Sequence, residues 1–233
     1  MKYNYILLAT VLFSFSCETE DVEPVGPVDP VDPTEILGCT DPSAVNYDVD
    51  ANTDDGCCQY VNLILNEVLY DPSNSGLEGD ANGDGEYVHN EDEFVELVNV
   101  SNTNLDISGY EFYDNANLAS GMPNHIVPAG TILSPMRAYV VFGGGIPTGN
   151  FGGAIVHVAS ASLLNLNNAS DTLTIKNEIG ETLIVFDVEA LSNNPNESYT
   201  RLPDICGEFV QHNSTSLGLF HQEQNRMVNL FRN

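Results

Sequence analysis

Positive charge is scarce in this sequence. Its 233 residues include 6 Lys and Arg against 34 Asp and Glu, which gives a formal net charge of −28 at pH 7. Such a field repels nucleic-acid phosphates and anionic lipid headgroups, so both are excluded as partners of the bulk surface. It favours solubility outside the cell and the binding of cations. Trp is absent too, but 42% of the residues are hydrophobic, which is enough for one sizeable core.

A long apolar run is also absent. The longest one, residues 5–15, follows Lys2 and is interrupted by Thr10 and Ser14. It is too short to span a hydrocarbon core of about 30 Å, but its length is typical of the hydrophobic region of a secretory signal. No stretch keeps helical periodicity over several turns, and Gly, Pro and Asn are frequent, so an all-helical protein is excluded.

The apolar run ends at Ser16-Cys17 and is followed by an acidic stretch over residues 18–21. This order resembles a bacterial lipoprotein signal, in which residues 1–16 are removed and Cys17 becomes the lipidated first residue. Ser14 stands where such signals usually have Leu, and an ordinary cleaved signal is the alternative. The acidic stretch resembles the surface-export signal of Bacteroidetes lipoproteins. The resemblance implies an exported bacterial protein that a lipid anchor holds at the outer membrane or cell surface.

Residues 17–37 are expected to form a tether between the lipidated cysteine and the rest of the chain. Proline recurs at every third position, at Pro24, Pro27, Pro30 and Pro33. Each Pro fixes its own φ and disfavours helix at the preceding residue, so extended polyproline II structure is predicted. About twenty residues at about 3.1 Å each span roughly 60 Å, which would hold the following domains clear of the membrane.

The cysteines are even in number only if Cys17 carries lipid. The other four allow three pairings in an oxidising compartment: Cys39, Cys57, Cys58 and Cys206. Residues 38–60 resemble a short module of Bacteroidetes surface proteins, whose second cysteine corresponds to Cys58. The resemblance implies a Cys39–Cys58 bridge. A second bridge, Cys57–Cys206, would then fasten the module to the following domain, and a free buried thiol at Cys206 is the alternative.

Residues 61–227 are predicted to form one β-rich domain, followed by a tail over residues 228–233. Short runs rich in β-branched and aromatic types are separated by Gly, Asn, Asp or Pro. Such runs with turn signals between them predict an all-β fold, an antiparallel β-sandwich. The runs are residues 63–69, 94–100, 110–113, 138–142, 154–158, 171–175 and 182–188.

Several segments of this domain, taken together and in order, resemble the lamin-tail domain. They are residues 65–68, 92–99, 105–110, 164–168, 170–175, 180–181 and 198–204. The resemblance covers most of residues 61–220 and implies an immunoglobulin-like sandwich. It also implies a domain of surface or secreted proteins that is often found beside enzymes without being catalytic. On strands of such a sandwich, Glu67, Glu96 and Asn99 are expected to form hydrogen bonds at strand ends or to face solvent, and the outward-facing role is preferred.

One loop carries a metal-binding pattern. Residues 80–91 match the EF-hand loop, with an acid or amide at positions 1, 3 and 5, Gly at position 6 and Glu at position 12. Alternating oxygens can wrap a hard cation, the glycine permits the sharp turn, and the last carboxylate closes the site. A solvated acidic turn is the alternative, and the flanks are not predicted to be helical. The predicted calcium ligands are the side chains of Asp80, Asn82 and Asp84, the main-chain carbonyl of Glu86 and the carboxylate of Glu91, with Asp92 as its substitute.

Catalytic motifs are absent. The five His residues fall in no paired-ligand spacing, and no Gly-x-Ser-x-Gly sequence is present. The glycines at 143–145 follow a predicted strand but lack the Lys and the helix of a phosphate loop, so they predict a turn. Arg201 is expected to pair with a nearby acid. The sequence therefore favours a protein that is not an enzyme.

The preferred interpretation is a lipid-anchored surface protein with an interaction or structural role, stabilised by calcium. Its partner would be an unknown surface protein or glycan, and its charge disfavours nucleic acid. The first alternative is a calcium-dependent carbohydrate-binding module, which would need exposed aromatics such as Tyr87, Tyr110 and Tyr113. The second is a hydrolase that uses calcium, or an accessory domain of a surface hydrolase.

Overall fold

The computed structural model describes residues 35–161, 163–188, 190 and 196–212. The predictions for the signal peptide, for Cys17, for most of the tether and for the tail lie outside these residues. Within them, no helix combines the length and the apolar character that crossing a membrane requires.

Short strands dominate the described residues, and two short α-helices accompany them, α1 (His89–Asp92) and α2 (Asn115–Ser120). Seven of the strands coincide with the predicted β-branched and aromatic runs, and the others are shorter strands of two to four residues that the sequence did not indicate. The strands are β1 (Leu37–Gly38), β2 (Thr53–Asp54), β3 (Leu63–Leu69), β4 (Phe94–Asn99), β5 (Leu105–Asp106), β6 (Glu111–Tyr113), β7 (His125–Ile126), β8 (Ile132–Leu133), β9 (Ala138–Phe142), β10 (Ile155–Val158), β11 (Thr172–Lys176), β12 (Thr182–Asp187), β13 (Tyr199–Leu202) and β14 (Glu208–Gln211).

The strands form two main sheets. The larger sheet has the order β10-β9-β4-β3-β13-β14, and the smaller has the order β12-β11-β6-β7. Within the described residues, the pairs in these sheets are antiparallel except β9 and β10, which run parallel. Two small sheets, β1-β2 and β5-β8, complete the fold. The predicted all-β sandwich is confirmed.

The main core contains residues from both sheets. Val95 and Leu97 of β4 and Leu173 and Ile175 of β11 are at most 1% exposed and belong to one hydrophobic cluster. Burying each such side chain contributes about 1.5–3 kcal/mol to the free energy of unfolding. This cluster holds the two sheets together.

The other face of the larger sheet, on which Glu67 and Glu96 lie, is covered as well. Asn99 comes two residues after Leu97 on β4, so it lies on the core face. The preferred expectation that these three side chains face solvent is therefore wrong. All three side chains are at most 1% exposed. A strand pattern of period two distinguishes two faces, but it does not tell whether the second face meets water or further protein. Two hydrophobic clusters flank the polar residues on this face: Leu69, Ala81, Phe94, Val140, Phe142 and Phe151 form the first, and Ile64, Val98, Val100 and Ala138 form the second.

Hydrogen bonds accompany the buried carboxylates of this face. Glu67 and Glu96 lie opposite each other in the register of β3 and β4, where a bulge interrupts the pairing between Leu65 and Glu67. Ser198 Oγ donates to Glu67 Oε1 at 2.5 Å, and Asn66 Nδ2 donates to Glu96 Oε1 at 2.8 Å. Because a bulge redirects the side chain of its extra residue, it brings Asn66 to Glu96. The buried acids are thereby supplied with donors.

Arg201 binds backbone carbonyls, which corrects the expectation of an acidic partner. Its Nε donates to the carbonyl of Leu65 at 2.9 Å, and its Nη1 donates to the carbonyl of Gly207 at 2.7 Å. Its guanidinium also lies 4.5 Å from the ring centroid of Phe209. No ion pair within 4.0 Å that joins described residues involves Arg201. The side chain ties the β13–β14 hairpin to β3.

Two disulfide bonds staple the N-terminal module. They join Cys39 to Cys58 and Cys57 to Cys206, which are the pairs that the sequence analysis expects. The second bond crosses from the module to the turn between β13 and β14. The adjacent cysteines at 57 and 58 therefore serve different purposes, one within the module and one between module and sandwich.

Hydrogen bonds reinforce the attachment of the module. Gln59 Nε2 donates to the carbonyl of Ile205 at 3.2 Å, beside the second disulfide. The N–H of Asn102, in the loop after β4, donates to the carbonyl of Val45 at 3.3 Å. The module thus contacts the sandwich at two separate places.

A histidine–tyrosine contact joins the two sheets. His125 Nε2 on β7 lies 2.8 Å from Tyr139 Oη on β9. His125 is 1% exposed, and its ring centroid lies 6.3 Å from that of His157 on β10. Burial, and next the charge of His157, lower the pKa of His125 to about 4.

We expect the substitution His125→Gln to flatten the pH dependence of stability. The pKa of about 4 in the native state lies below the unfolded value of about 6.5, so folding opposes protonation. This stabilisation is complete above about pH 6.5 and is lost as the pH falls towards 4. Between about pH 7 and pH 4, the parent should lose roughly 3 kcal/mol more unfolding free energy than the variant, measured by urea denaturation. If the unfolding free energies of the parent and the variant change equally between about pH 7 and pH 4, His125 is not the group responsible for the pH dependence.

Candidate functional site

The acidic loop connects β3 to β4. A 3-10 turn, Gly76–Gly79, precedes it, and the single helical turn α1 forms its C-terminal end. The flanks are as expected, a turn before the loop and a strand from Phe94 onwards, and α1 adds a helical turn at the end of the loop that the sequence did not indicate. Strand β4 begins immediately afterwards at Phe94. The loop is fixed at its C-terminal end by a central strand of the larger sheet.

The first half of the loop folds around its own polar side chains. Asp80 accepts N–H hydrogen bonds from Gly83 and Gly85, each at 2.9 Å. Asn82 Oδ1 accepts from the N–H of Asp84 at 3.0 Å, and Asp84 Oδ1 accepts from that of Glu86 at 3.0 Å. Gly85 has φ of +95°, a conformation that side chains disfavour. The pattern thus produces the tight turn that the spacing predicts.

Asp92 closes the loop from its other end. Its Oδ1 accepts from the N–H of Asn82 at 3.2 Å, and its Oδ2 accepts from the N–H of Val88 at 2.8 Å. The side chain is fully buried, and burial raises the pKa of Asp92, with a smaller contribution from the negative charge of Asp80. Asp92 is therefore a buried acid among the predicted ligands, and the negative charge of Asp80 disfavours its ionised form.

The other predicted ligands are placed differently. The side chain of Glu86 is exposed, and Cγ of Glu91 lies 2.8 Å from the position that a Cβ on Gly144 would take. In the part of the chain that the structure describes, no three His, Cys, Asp or Glu side chains form a group that could hold a metal ion. The structure therefore joins Asn82 to Asp92, leaves Asp80 bonded to the loop's own glycine N–H groups, and directs Glu91 towards a neighbouring turn.

That neighbouring turn is the glycine run at residues 143–145, which follows β9. The N–H of Gly143 donates to the carbonyl of Glu93 at 2.8 Å, and the N–H of Ile146 donates to Asp84 Oδ2 at 3.1 Å. A Cβ on Gly143 would overlap the carbonyl of Asn90. The predicted turn is present, and its glycines allow the acidic loop to approach it closely. Sequence reasoning missed this docking because the two segments are far apart in the chain.

Glu93 is a second buried acid that sequence reasoning did not single out. It is 1% exposed, and its Oε2 accepts from the N–H of Leu166 at 3.0 Å. Burial raises the pKa of Glu93 to about 8. His89 Nε2 lies 3.9 Å from its Oε1. The side chain joins the loop region to the segment before β11, and no spacing in the sequence indicates this contact.

Three residues with catalytic potential meet away from the loop. Ser198 Oγ lies 2.9 Å from His212 Nδ1, which in turn lies 2.9 Å from Glu67 Oε1. All three side chains are fully buried. In a Ser–His–acid relay the serine and the acid contact opposite ring nitrogens, whereas here both approach Nδ1. The cluster has the geometry of a structural hydrogen-bond network.

The aromatic side chains required by a carbohydrate platform are not exposed beside the loop. Tyr110 is 8% exposed and Tyr113 is 6% exposed. Tyr87 is half-buried, and its hydroxyl donates to the carbonyl of Pro72 at 3.3 Å. The three candidates therefore do not form the surface that the carbohydrate alternative needs, because Tyr110 and Tyr113 are buried and Tyr87 is half-buried.

Two sheets packed around a common core place the protein among all-β sandwiches of the immunoglobulin-like class. The family model described as Lamin Tail Domain matches residues 59–190, which is more than half of the chain. The chain therefore belongs to the lamin tail domain family. No curated protein matches it. Strands β13 and β14 lie beyond the matched residues, yet β13 pairs with β3 and continues the larger sheet.

Proposed function

We propose that this protein is a non-catalytic, lipid-anchored surface protein with an interaction or structural role, whose lamin tail domain is stabilised by calcium. The observation that carries the proposal is the acidic loop, in which the side-chain oxygens of Asp80, Asn82 and Asp92 all accept hydrogen bonds from main-chain N–H groups of the same loop. The anchor and the surface location rest on the lipoprotein-like sequence that ends at Cys17. An unidentified surface protein is the partner that this placement favours.

The donor set fits calcium by its chemistry. Carboxylate and amide oxygens are the ligands that this hard cation takes, and the glycine at position 6 permits the required turn. The side chains of Asp80, Asn82 and Asp84 would supply oxygens, together with the carbonyl of Glu86. Asp92 is the better candidate for the closing carboxylate, because it already contacts the loop while Glu91 lies against the glycine turn. A bound cation would offset the repulsion between these acids.

Calcium is expected to raise the thermal stability of the parent chain. Extracellular modules bind calcium with a Kd of about 10⁻⁴–10⁻³ M, so about 1 mM calcium adds roughly 0.4–1.4 kcal/mol of unfolding free energy. The melting temperature should rise by a few degrees relative to EDTA, and the variant Asp84→Ala, which removes the side-chain oxygens at position 5, should lose this response. Differential scanning calorimetry measures both proteins under the two conditions.

Three further variants make the calcium test specific. Glu178→Gln removes one negative charge from an exposed turn far along the chain, and it should keep the full response. Asp92→Asn and Glu91→Gln distinguish the two candidates for the closing ligand, since only substitution of the residue that binds calcium should abolish the rise in melting temperature. If calcium leaves the melting temperature of the parent unchanged, the loop is an acidic turn and the proposed stabilisation is wrong.

A further inference from the structure

Strand β12 forms one edge of the smaller sheet. It pairs with β11, and in the described residues no strand pairs with its other side. With 6 residues it is longer than the other edge strands of the two main sheets, since β10 and β14 have 4 each and β7 has 2. A long unpaired edge presents a row of main-chain donors and acceptors to a further strand.

The register shows which main-chain groups of β12 point away from its neighbour. The N–H of Val188 donates to the carbonyl of Asp171 at 2.9 Å, and Val185 lies opposite Thr174 in the same register. Because hydrogen-bonded and non-hydrogen-bonded pairs alternate in antiparallel strands, the Val185–Thr174 pair is of the second kind. The N–H and C=O of Val185 therefore point towards the open edge.

The side chains of β12 divide between the core and the surface. Phe186 belongs to the main core, and its ring lies 5.2 Å from that of Phe209 on β14. Leu183 and Val185 are 45% and 62% exposed. The strand carries neither Lys nor Pro, the residues with which proteins usually protect an edge. Since the core fixes the strand, its open edge is preorganised for pairing.

The opposite edge of the smaller sheet, strand β7, is already covered by other residues of the chain. The N–H of Ile126 on β7 donates to Ser160 Oγ at 3.0 Å, and the N–H of Ala161 donates to the carbonyl of Asn124 at 3.1 Å. The chain following β10 thus satisfies polar groups beside β7. At the opposite side of the same sheet, β12 has no such covering segment among the described residues.

The charges around β12 define its occupant. Glu181 and Asp187 flank the strand and are exposed. The neighbouring cation, Lys176 on β11, lies 5.3 Å from the ring centroid of Tyr113 on β6, the strand on the other side of β11. A second copy of the chain would bring the same acids and another net charge of −28 to this edge, which is repulsive. We propose that β12 is the docking edge for an extended peptide segment of a partner protein, with alternating apolar residues and Lys or Arg at its ends.

The peptide would add a strand to the smaller sheet. Its main chain would bond to the N–H and C=O of Val185, its apolar residues would contact Leu183 and Val185, and its basic ends would lie near Glu181 and Asp187. Main-chain pairing supplies the affinity in this mode of recognition, and the side chains supply the selectivity. The inference goes beyond the proposed function and does not depend on calcium, so either can fail without the other.

The test uses the purified full-length chain and a blocked peptide, acetyl-Lys-Val-Thr-Val-Thr-Val-Lys-amide, followed by amide chemical shifts. We expect saturable shifts centred on β12 in calcium and in EDTA alike. The variant Val185→Pro removes the outward N–H and should weaken binding by about tenfold or more, whereas Val185→Thr keeps that N–H and should bind nearly as the parent does. A peptide with Glu in place of both Lys should also bind about tenfold more weakly or worse.

A second measurement protects the test against misfolding of the proline variant. A peptide that is N-methylated on alternate residues loses the main-chain donors, and it should not bind the unaltered parent chain. Three results would overturn the proposal. They are the absence of shifts at about 1 mM peptide, binding that tolerates both Val185→Pro and N-methylation, and concentration-dependent self-association that Val185→Pro abolishes, which would assign the edge to a second copy.

Discussion

The substitution Asn99→Asp is expected to lower the free energy of unfolding by on the order of 4 kcal/mol. Asn99 is fully buried, and its Nδ2 donates to the carbonyls of Thr103 and Leu133 at 2.8 and 2.9 Å. Its Oδ1 accepts from Ser101 Oγ at 2.7 Å and from the N–H of Ser101 at 3.0 Å. The introduced carboxyl cannot donate twice, so it would place an oxygen against carbonyl oxygens in a buried site. Calorimetry should show a fall in melting temperature of roughly 8–16 °C.

The control for this prediction is Asn104→Asp in the same loop. Asn104 is exposed, so the same chemical change there should alter the free energy of unfolding by no more than about 0.5 kcal/mol. The loss at Asn99 should also shrink as the pH is lowered, because protonation restores one donor to the introduced carboxyl. If the two variants melt at the same temperature, the four-way hydrogen bonding of Asn99 does not stabilise the fold.

Loss of the bond between module and sandwich is expected to have the other large effect. The Cys57–Cys206 disulfide joins residues that are 149 positions apart. In the chain-entropy description, closing a loop of that length stabilises the native state by up to about 5 kcal/mol. The double variant Cys57→Ser/Cys206→Ser should therefore unfold at a markedly lower urea concentration. Urea denaturation of the oxidised proteins measures the difference in unfolding free energy.

The Cys39–Cys58 bond provides the comparison. It closes a separation of only 19 residues, for which the same description gives about 3 kcal/mol. Because this bond lies within the module, the variant Cys39→Ser/Cys58→Ser should mainly loosen residues 38–60 and leave the sandwich transition close to that of the parent. If Cys39→Ser/Cys58→Ser lowers the unfolding free energy of the sandwich as much as Cys57→Ser/Cys206→Ser does, or more, the Cys57–Cys206 bond is not the main covalent stabiliser of the sandwich.

The strands and the sandwich could be predicted from the sequence because their determinants are local. Period-two patterns and turn residues mark β3, β4, β9, β11 and β12, whose bounds in the structure lie within a few residues of the predicted runs. The tight turn at Gly85 was likewise predictable, because position 6 of the loop pattern imposes it. Such features depend on neighbouring residues alone.

The burial of Glu67 and Glu96 could not be predicted from the sequence, because it depends on contacts between segments that are distant in the chain. Glu67 is of a residue type that usually faces solvent on a strand. It is buried here because other segments pack on the outer face of the sheet and Ser198 donates a hydrogen bond to it. The contact between the glycine turn and the acidic loop has the same origin, since residues more than fifty positions apart meet there. A strand pattern carries no information about what packs on its second face.

The Cys57–Cys206 disulfide also decides how tension passes through the chain. A pull applied outside these two residues travels from Cys57 through the sulfur bridge to Cys206 and bypasses every strand from β3 to β13. The 149-residue stretch between them, which could otherwise extend by about 500 Å, bears none of that load. In the oxidised protein, a pull between the segment before Cys57 and the segment after Cys206 therefore leaves the sandwich unloaded, and only the segments outside the covalent loop can lengthen.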